Sequence, residues 1–128
     1  MNVPRDLRYT STHEWVKVKG SIATVGITDF AQHQLSDLTY VELPDKDDQV
    51  SASDEVAVVE SVKAASDVYS PVSGLIVEVN ARVVESPELI NTDPYGDGWL
   101  FKVQLSDPGE VEDLMDSDQY EEQLPEEE

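Results

Sequence analysis

The sequence predicts a mainly β fold, a sandwich of two small antiparallel sheets with short helices that include a C-terminal helical segment. Three observations predict it. Short runs of Val, Ile, Tyr and Thr recur, bounded by Gly, Pro, Ser and Asp, the composition of strands on a half-buried pleated surface. One strand pattern occurs twice, as Tyr40-Val41-Glu42-Leu43-Pro44 and, 36 residues later, as Ile76-Val77-Glu78-Val79-Asn80. Each copy precedes a turn, an isolated valine (Val50; Val83 or Val84) and a longer strand (residues 56–60; 99–103), which suits two quasi-symmetric sheets. Helical spacing appears only in short stretches, at Phe30-Ala31-Leu35 and at Val111-Leu114-Met115.

Taken in order, residues 1–8 read as an arm. Residues 13–19 and 22–27 alternate around Gly20-Ser21 and read as a hairpin whose apolar positions are Trp15, Val16, Val18, Ile22 and Val25. Thr28 or Asp29 can cap a short helix through Leu35. Residues 39–43 are a strand that Pro44 ends, and 45–48 a charged turn. Val50 begins a short strand, and residues 55–61 form the rising arm of a second hairpin. Ser86-Pro87-Glu88 reads as a helix start, with Ser86 as cap and proline in the first position. Residues 93–98 are a turn-rich loop before the last strand. Asp107-Pro108 opens a helix to about Met115, with Val111, Leu114 and Met115 facing the sandwich. Ser117 or Asp118 starts another with Tyr120 and Leu124, and residues 125–128 read as a disordered acidic tail. The length of 128 residues suits one domain, with a β body over about 7–106, helices over 107–124 and the tail beyond.

The charge is −20, and between residues 107 and 128 there are eleven acids and no base. Binding to nucleic acid or to an anionic membrane needs a basic footprint, so neither is expected. Self-repulsion favours a monomer. The excess carboxylate also suits a high-salt cytosol, which predicts an unfolding midpoint that rises from dilute buffer to molar salt. The first residues do not read as a signal peptide, and no apolar run approaches the ~20 residues of a membrane span. A cytoplasmic location is expected, or the mitochondrial matrix for a mature eukaryotic chain. The chain has no cysteine, so any redox sulfur arrives on a cofactor.

The second hairpin centres on Lys63. Two β-branched runs flank Ser61, Lys63 and Ser66, and the short interval between them favours a tight turn over a helix. Lys63 therefore sits at or next to the tip, with its ammonium in water. The segment Glu60-Ser61-Val62-Lys63-Ala64-Ala65-Ser66-Asp67, followed by Ser70-Pro71-Val72-Ser73-Gly74, resembles the lipoylation segment of the glycine cleavage system H protein family. Tyr9, His13-Glu14-Trp15-Val16, Gly26-Ile27-Thr28-Asp29-Phe30, Val41-Glu42-Leu43-Pro44 and Asp93-Pro94-Tyr95-Gly96-Asp97-Gly98-Trp99 resemble the same family in the same order.

The resemblance implies a lipoyl/biotinyl-type barrel-sandwich hybrid and a non-catalytic carrier. Lipoic acid would be joined to Lys63 as an amide by a lipoate ligase or lipoyl transferase. Glu60, three before the lysine, and Gly74, eleven after it, would be recognition features. Lys17, Lys19, Lys46 and Lys102 lack the Glu-x-x-Lys-Ala setting. The implied partners are a pyridoxal-phosphate glycine decarboxylase (P protein), a tetrahydrofolate-dependent aminomethyltransferase (T protein) and a flavin dihydrolipoyl dehydrogenase (L protein). The loaded arm would fold back toward Thr12, Glu14 and Asp67. The alternative for these three is ordinary surface polarity. Gln34, next to His33, stands where some members carry histidine; Ser36 replaces a usual glycine, and Asp47-Asp48 a common turn glycine.

Other readings stay open on residues alone. A lipoyl relay would donate lipoyl groups to other proteins. A 2-oxoacid dehydrogenase lipoyl domain usually shows Asp-Lys-Ala, and a biotin carrier Met-Lys-Met; Val62-Lys63-Ala64 fits neither. An imine-forming enzyme would need Lys63 buried or beside another cation. A plain binding module would carry no modification.

Overall fold

The computed structural model describes residues 2–124. The expectation of a disordered tail at 125–128 lies outside the described residues. Nine strands form two antiparallel sheets. In the larger, β1 (Arg8–Tyr9), β2 (Glu14–Lys19), β3 (Ile22–Ile27), β9 (Phe101–Leu105), β8 (Gly74–Val79) and β5 (Gln49–Val50) pair in that order. The smaller has β4 (Leu38–Glu42), β6 (Glu55–Ser61) and β7 (Ala65–Tyr69), with β6 central. The repeat has a structural meaning: its first copy pairs β4 with β6, and its second pairs β8 with β9.

Alternation along each strand builds the core. Val16, Val25, Ile76 and Val103 of the larger sheet meet Val41, Ala57, Val59 and Val68 of the smaller, and all are buried. Burying each such side chain fully contributes roughly 1.5–3 kcal/mol. Trp15 points to the opposite face of the larger sheet, where it joins Leu7, Tyr9 and Tyr120 in a second cluster. Tyr9 and Tyr120 stack with ring centroids 4.7 Å apart.

Thr28 caps α1 (Asp29–Leu35), as the sequence implies, its hydroxyl accepting from Ala31 N. Elsewhere the helices depart from expectation. The anticipated helix from Asp107 to Met115 is only α4 (Gly109–Glu112). Met115 instead exchanges two backbone hydrogen bonds with Tyr9, at 2.8 and 2.9 Å. That turns its side chain to the aromatic cluster, while Val111 and Leu114 pack on the main core. Val83 and Val84 are not strand residues. They lie in α2 (Ala81–Glu85), capped by Asn80, whose side-chain amide also donates to the carbonyls of Asp97 and Trp99. Ser86 closes α2 through its backbone N–H rather than capping the next helix, α3 (Glu88–Thr92), which Pro87 precedes. The last helix, α5 (Ser117–Gln123), is capped by Asp116 in a reciprocal capping box with Gln119. The N-terminal arm is tied down: Asn2 N donates to Asp29, and Arg5 pairs with Asp118 at 3.1 Å.

Candidate functional site

Two surface features flank the β6–β7 hairpin. Its tip is a three-residue turn of Val62, Lys63 and Ala64. Ser61 Oγ accepts from Lys63 N and Ala64 N, both at 3.1 Å, and Ser61 N donates to Ala64 O at 2.8 Å. These bonds fix the turn without a glycine. Lys63 is exposed, and among the described residues no carboxylate lies within ion-pair range of its amine. Val62 beside it is 92% exposed. The tip borders a groove of about 470 Å³ formed with Gln32, His33, Gln34 and Asn91. Asn91 braces that groove, donating to Gln32 Oε1 and Ser36 O and accepting from Leu38 N. Ser36 and Asp47 both adopt left-handed backbone, at φ 68° and 77°, so these replacements of family glycines occupy glycine-like conformations.

The second feature is a cleft of about 690 Å³ at the far end of β7. It is bounded by Thr10–Thr12, Glu14, Ser53, Tyr69 and the segment from Glu110 to Met115. Glu14 is its chemical centre. Its side chain is buried, not ordinary surface polarity, with 1% of the residue exposed. The hydroxyls of Thr10 and Thr12 donate to Oε1, and Tyr69 N donates to Oε2 at 3.1 Å. Burial pushes the Glu14 carboxyl above its ordinary range, and these donors pull it back. A carboxylate so placed can receive one further cationic donor. Glu110 holds the opposite wall by accepting from Ser73 N and Oγ.

Thr12 and Glu14 are thus together, as the sequence suggests. Lys63 is not with them: six steps along the chain, mostly through β7, separate it from Tyr69, about 20 Å when extended. Asp67 lies between, exposed, opposite Val58 on the outer face of the hairpin. Glu60 is half-buried on that face, between Tyr40 and Ala65. Gly74 opens β8 at φ 156°. A Cβ there would collide with the carbonyl oxygen of Gln104 on β9 and stand 2.8 Å from Val103 Cγ1. Packing alone therefore demands this glycine.

Sequence reasoning missed Thr10, Tyr69 N and the Glu110 wall. Three hydroxyl residues just ahead of His13-Glu14, Thr10-Ser11-Thr12, were a usable signal, since such side chains readily bond nearby polar groups. It also missed a chain of contacts behind the cleft. His13 Nδ1 lies 2.8 Å from Tyr120 Oη, which lies 2.7 Å from Thr28 Oγ1.

The family model described as Glycine cleavage H-protein matches residues 7–127. A glycine cleavage system H protein of Carboxydothermus hydrogenoformans is 55% identical over 125 residues, covering 98% of this chain and 96% of that protein. One from Alcanivorax borkumensis is 58% identical over 122 residues, 95% of each. The crystal structure of a glycine cleavage system H protein from Mycobacterium marinum superposes with a TM-score of 0.87 at 42% identity, covering 94% of this chain and 98% of that one.

Proposed function

The chain belongs to the glycine cleavage H-protein family, and from that membership we propose that it is the lipoyl carrier of the glycine cleavage system, with lipoic acid on Lys63. The observation that carries this reading is the Lys63 turn: an exposed, unpaired amine on a rigid tip. The residues present suit the group, because amide formation there removes a charge that no described carboxylate balances. When bound to Lys63, lipoate would supply a dithiolane able to carry an aminomethyl group between the P and T proteins, with the L protein restoring its oxidised form.

The chain's own residues bind, orient and protect; catalysis belongs to the partners. Ser61 holds the tip in one conformation, so that a tethered group is presented to each partner at high effective concentration. Glu60, beside the tip, and Gly74 are features for a lipoate ligase or lipoyl transferase to read, with Gly74 acting through the backbone approach it permits. Thr12 and Glu14 supply acceptors for an ammonium group in the cleft, and a charge-assisted bond to a buried carboxylate is among the stronger kinds. Asp67 lies between tip and cleft.

Co-expression with a lipoate ligase is expected to add one lipoyl mass, lost in Lys63→Arg. Lipoyl found on Lys17 or Lys102 would refute the assignment. Glycine–bicarbonate exchange with the P protein separates a cleavage-system carrier from a lipoyl relay.

A further inference from the structure

The loop 10–13 supplies the hydroxyls that cap Glu14; local bonds close it, from Thr10 N to Glu14 O and from Glu14 N to Thr10 Oγ1, and more distant residues hold it against the body. His13 in that loop has left-handed backbone, φ 76°, a conformation that a non-glycine residue keeps only when its surroundings impose it. The surroundings are specific. The His13 ring packs on Phe30 of α1, with centroids 4.8 Å apart, and meets Tyr120 edge-on at 5.7 Å. Its carbonyl accepts from Thr28 N, and its own N–H donates to Thr10 O.

The hydrogen bonds behind it have a direction. Thr28 Oγ1 already accepts from Ala31 N, so its hydroxyl is free to donate to Tyr120 Oη. Tyr120 is then left to donate to His13 Nδ1, which fits a neutral ring protonated at Nε2. Tyr120 itself is fully buried and stacked on Tyr9. Its hydroxyl is thus a link from the C-terminal helix, 107 residues away in sequence, to the loop that caps Glu14.

We propose that Tyr120 is a positioning residue for the cleft: acting through His13, its hydroxyl holds loop 10–13 where Thr10 and Thr12 donate to Glu14. The ligand class this geometry serves is a primary ammonium, and that part rests on the docking reading above. The Tyr120→Phe variant keeps the stack on Tyr9 and removes the hydroxyl with its bonds to His13 and Thr28. Loss of the two hydroxyl donors removes groups that favour the charged carboxylate, so the Glu14 titration moves upward.

The test uses the full chain without lipoate. The titration of the Glu14 side-chain carboxyl carbon and the Tyr69 amide shift are followed by NMR in wild type, Tyr120→Phe and Tyr9→Phe. Tyr9→Phe is the structural control, because it keeps the ring in the same aromatic cluster and loses only a hydroxyl bond, to Pro4 O, that does not involve His13. The expected result is a higher Glu14 midpoint and a displaced Tyr69 amide in Tyr120→Phe alone, with α5 amides still protected. Unchanged Glu14 and Tyr69 signals in Tyr120→Phe would overturn the proposal, as would equal shifts in Tyr9→Phe. Loss of the aminomethyl group from the lipoylated carrier is then timed. Faster loss in Tyr120→Phe supports both readings. A displaced loop with an unchanged loss rate upholds the Tyr120 link and overturns ammonium docking at Glu14.

Discussion

Replacing Gly74 by alanine tests whether its role is packing or recognition. The new methyl would meet the carbonyl oxygen of Gln104, with Val103 Cγ1 at 2.8 Å. Gln104 pairs with both Leu75 and Ile22, so its backbone cannot yield without disturbing two ladders. Overpacking of this kind costs about 1–3 kcal/mol, and φ 156° in a residue with a Cβ adds about 1–3 kcal/mol. The expected loss is roughly 2–6 kcal/mol, a large share of the ~5–15 kcal/mol that holds a domain together. At ~4 °C per kcal/mol for this size, the melting temperature should fall by ~8 °C or more. Thermal and urea unfolding measure it, and lipoylation is then assayed well below the lowered melting point. A variant that melts like wild type refutes the packing argument. One that is destabilised yet, while folded, is lipoylated at the wild-type rate shows that the modifying enzyme does not read this position.

Truncation after Ser106 should lower the melting temperature, because it uncovers Tyr9 and Trp15 and removes Val111 and Leu114 from the core; an unchanged melting point refutes this. Neutralising Glu60 or Asp67 should raise the apparent KM of the carrier with glycine decarboxylase, and the wild-type rate should weaken with salt, as for electrostatic steering; removing residues 125–128 should do less, and a larger effect of that deletion defeats local steering. Burial pulls the His13 imidazole below its ordinary range, so the folded state prefers neutral His13. The stability this contributes is present above the unfolded value of ~6.5 and lost as pH falls through the lowered folded value. His13→Asn, which tolerates the left-handed backbone, should flatten that part of the stability–pH curve relative to wild type; parallel curves would be contrary.

The Lys63 hairpin was legible because its information is local: β-branched runs on both sides and Ser61 within two residues of the lysine. The pairing of β4 with β6 and of β8 with β9 was legible because the sequence states the pattern twice. The burial of Glu14 was not: a carboxylate between His13 and Trp15 looks like an exposed strand position, and one of its donors, Tyr69 N, lies 55 residues away. Val83 and Val84 favour strand by propensity, but Asn80 starts a helix there and is itself held by the carbonyls of Asp97 and Trp99. Met115 broke the predicted helix because Tyr9 offered it a bridge that no local signal encodes.

The aromatic cluster behind the larger sheet joins parts of the chain that are made far apart in time. Tyr9 and Trp15 are made well before Tyr120, and domains made at ~5–20 residues per second begin folding from the N-terminal side. Until Tyr120 is made, Tyr9 lacks the ring that stacks on it in the folded chain. Docking of α5 is therefore the step that closes this cluster, after the sheet it covers has been made.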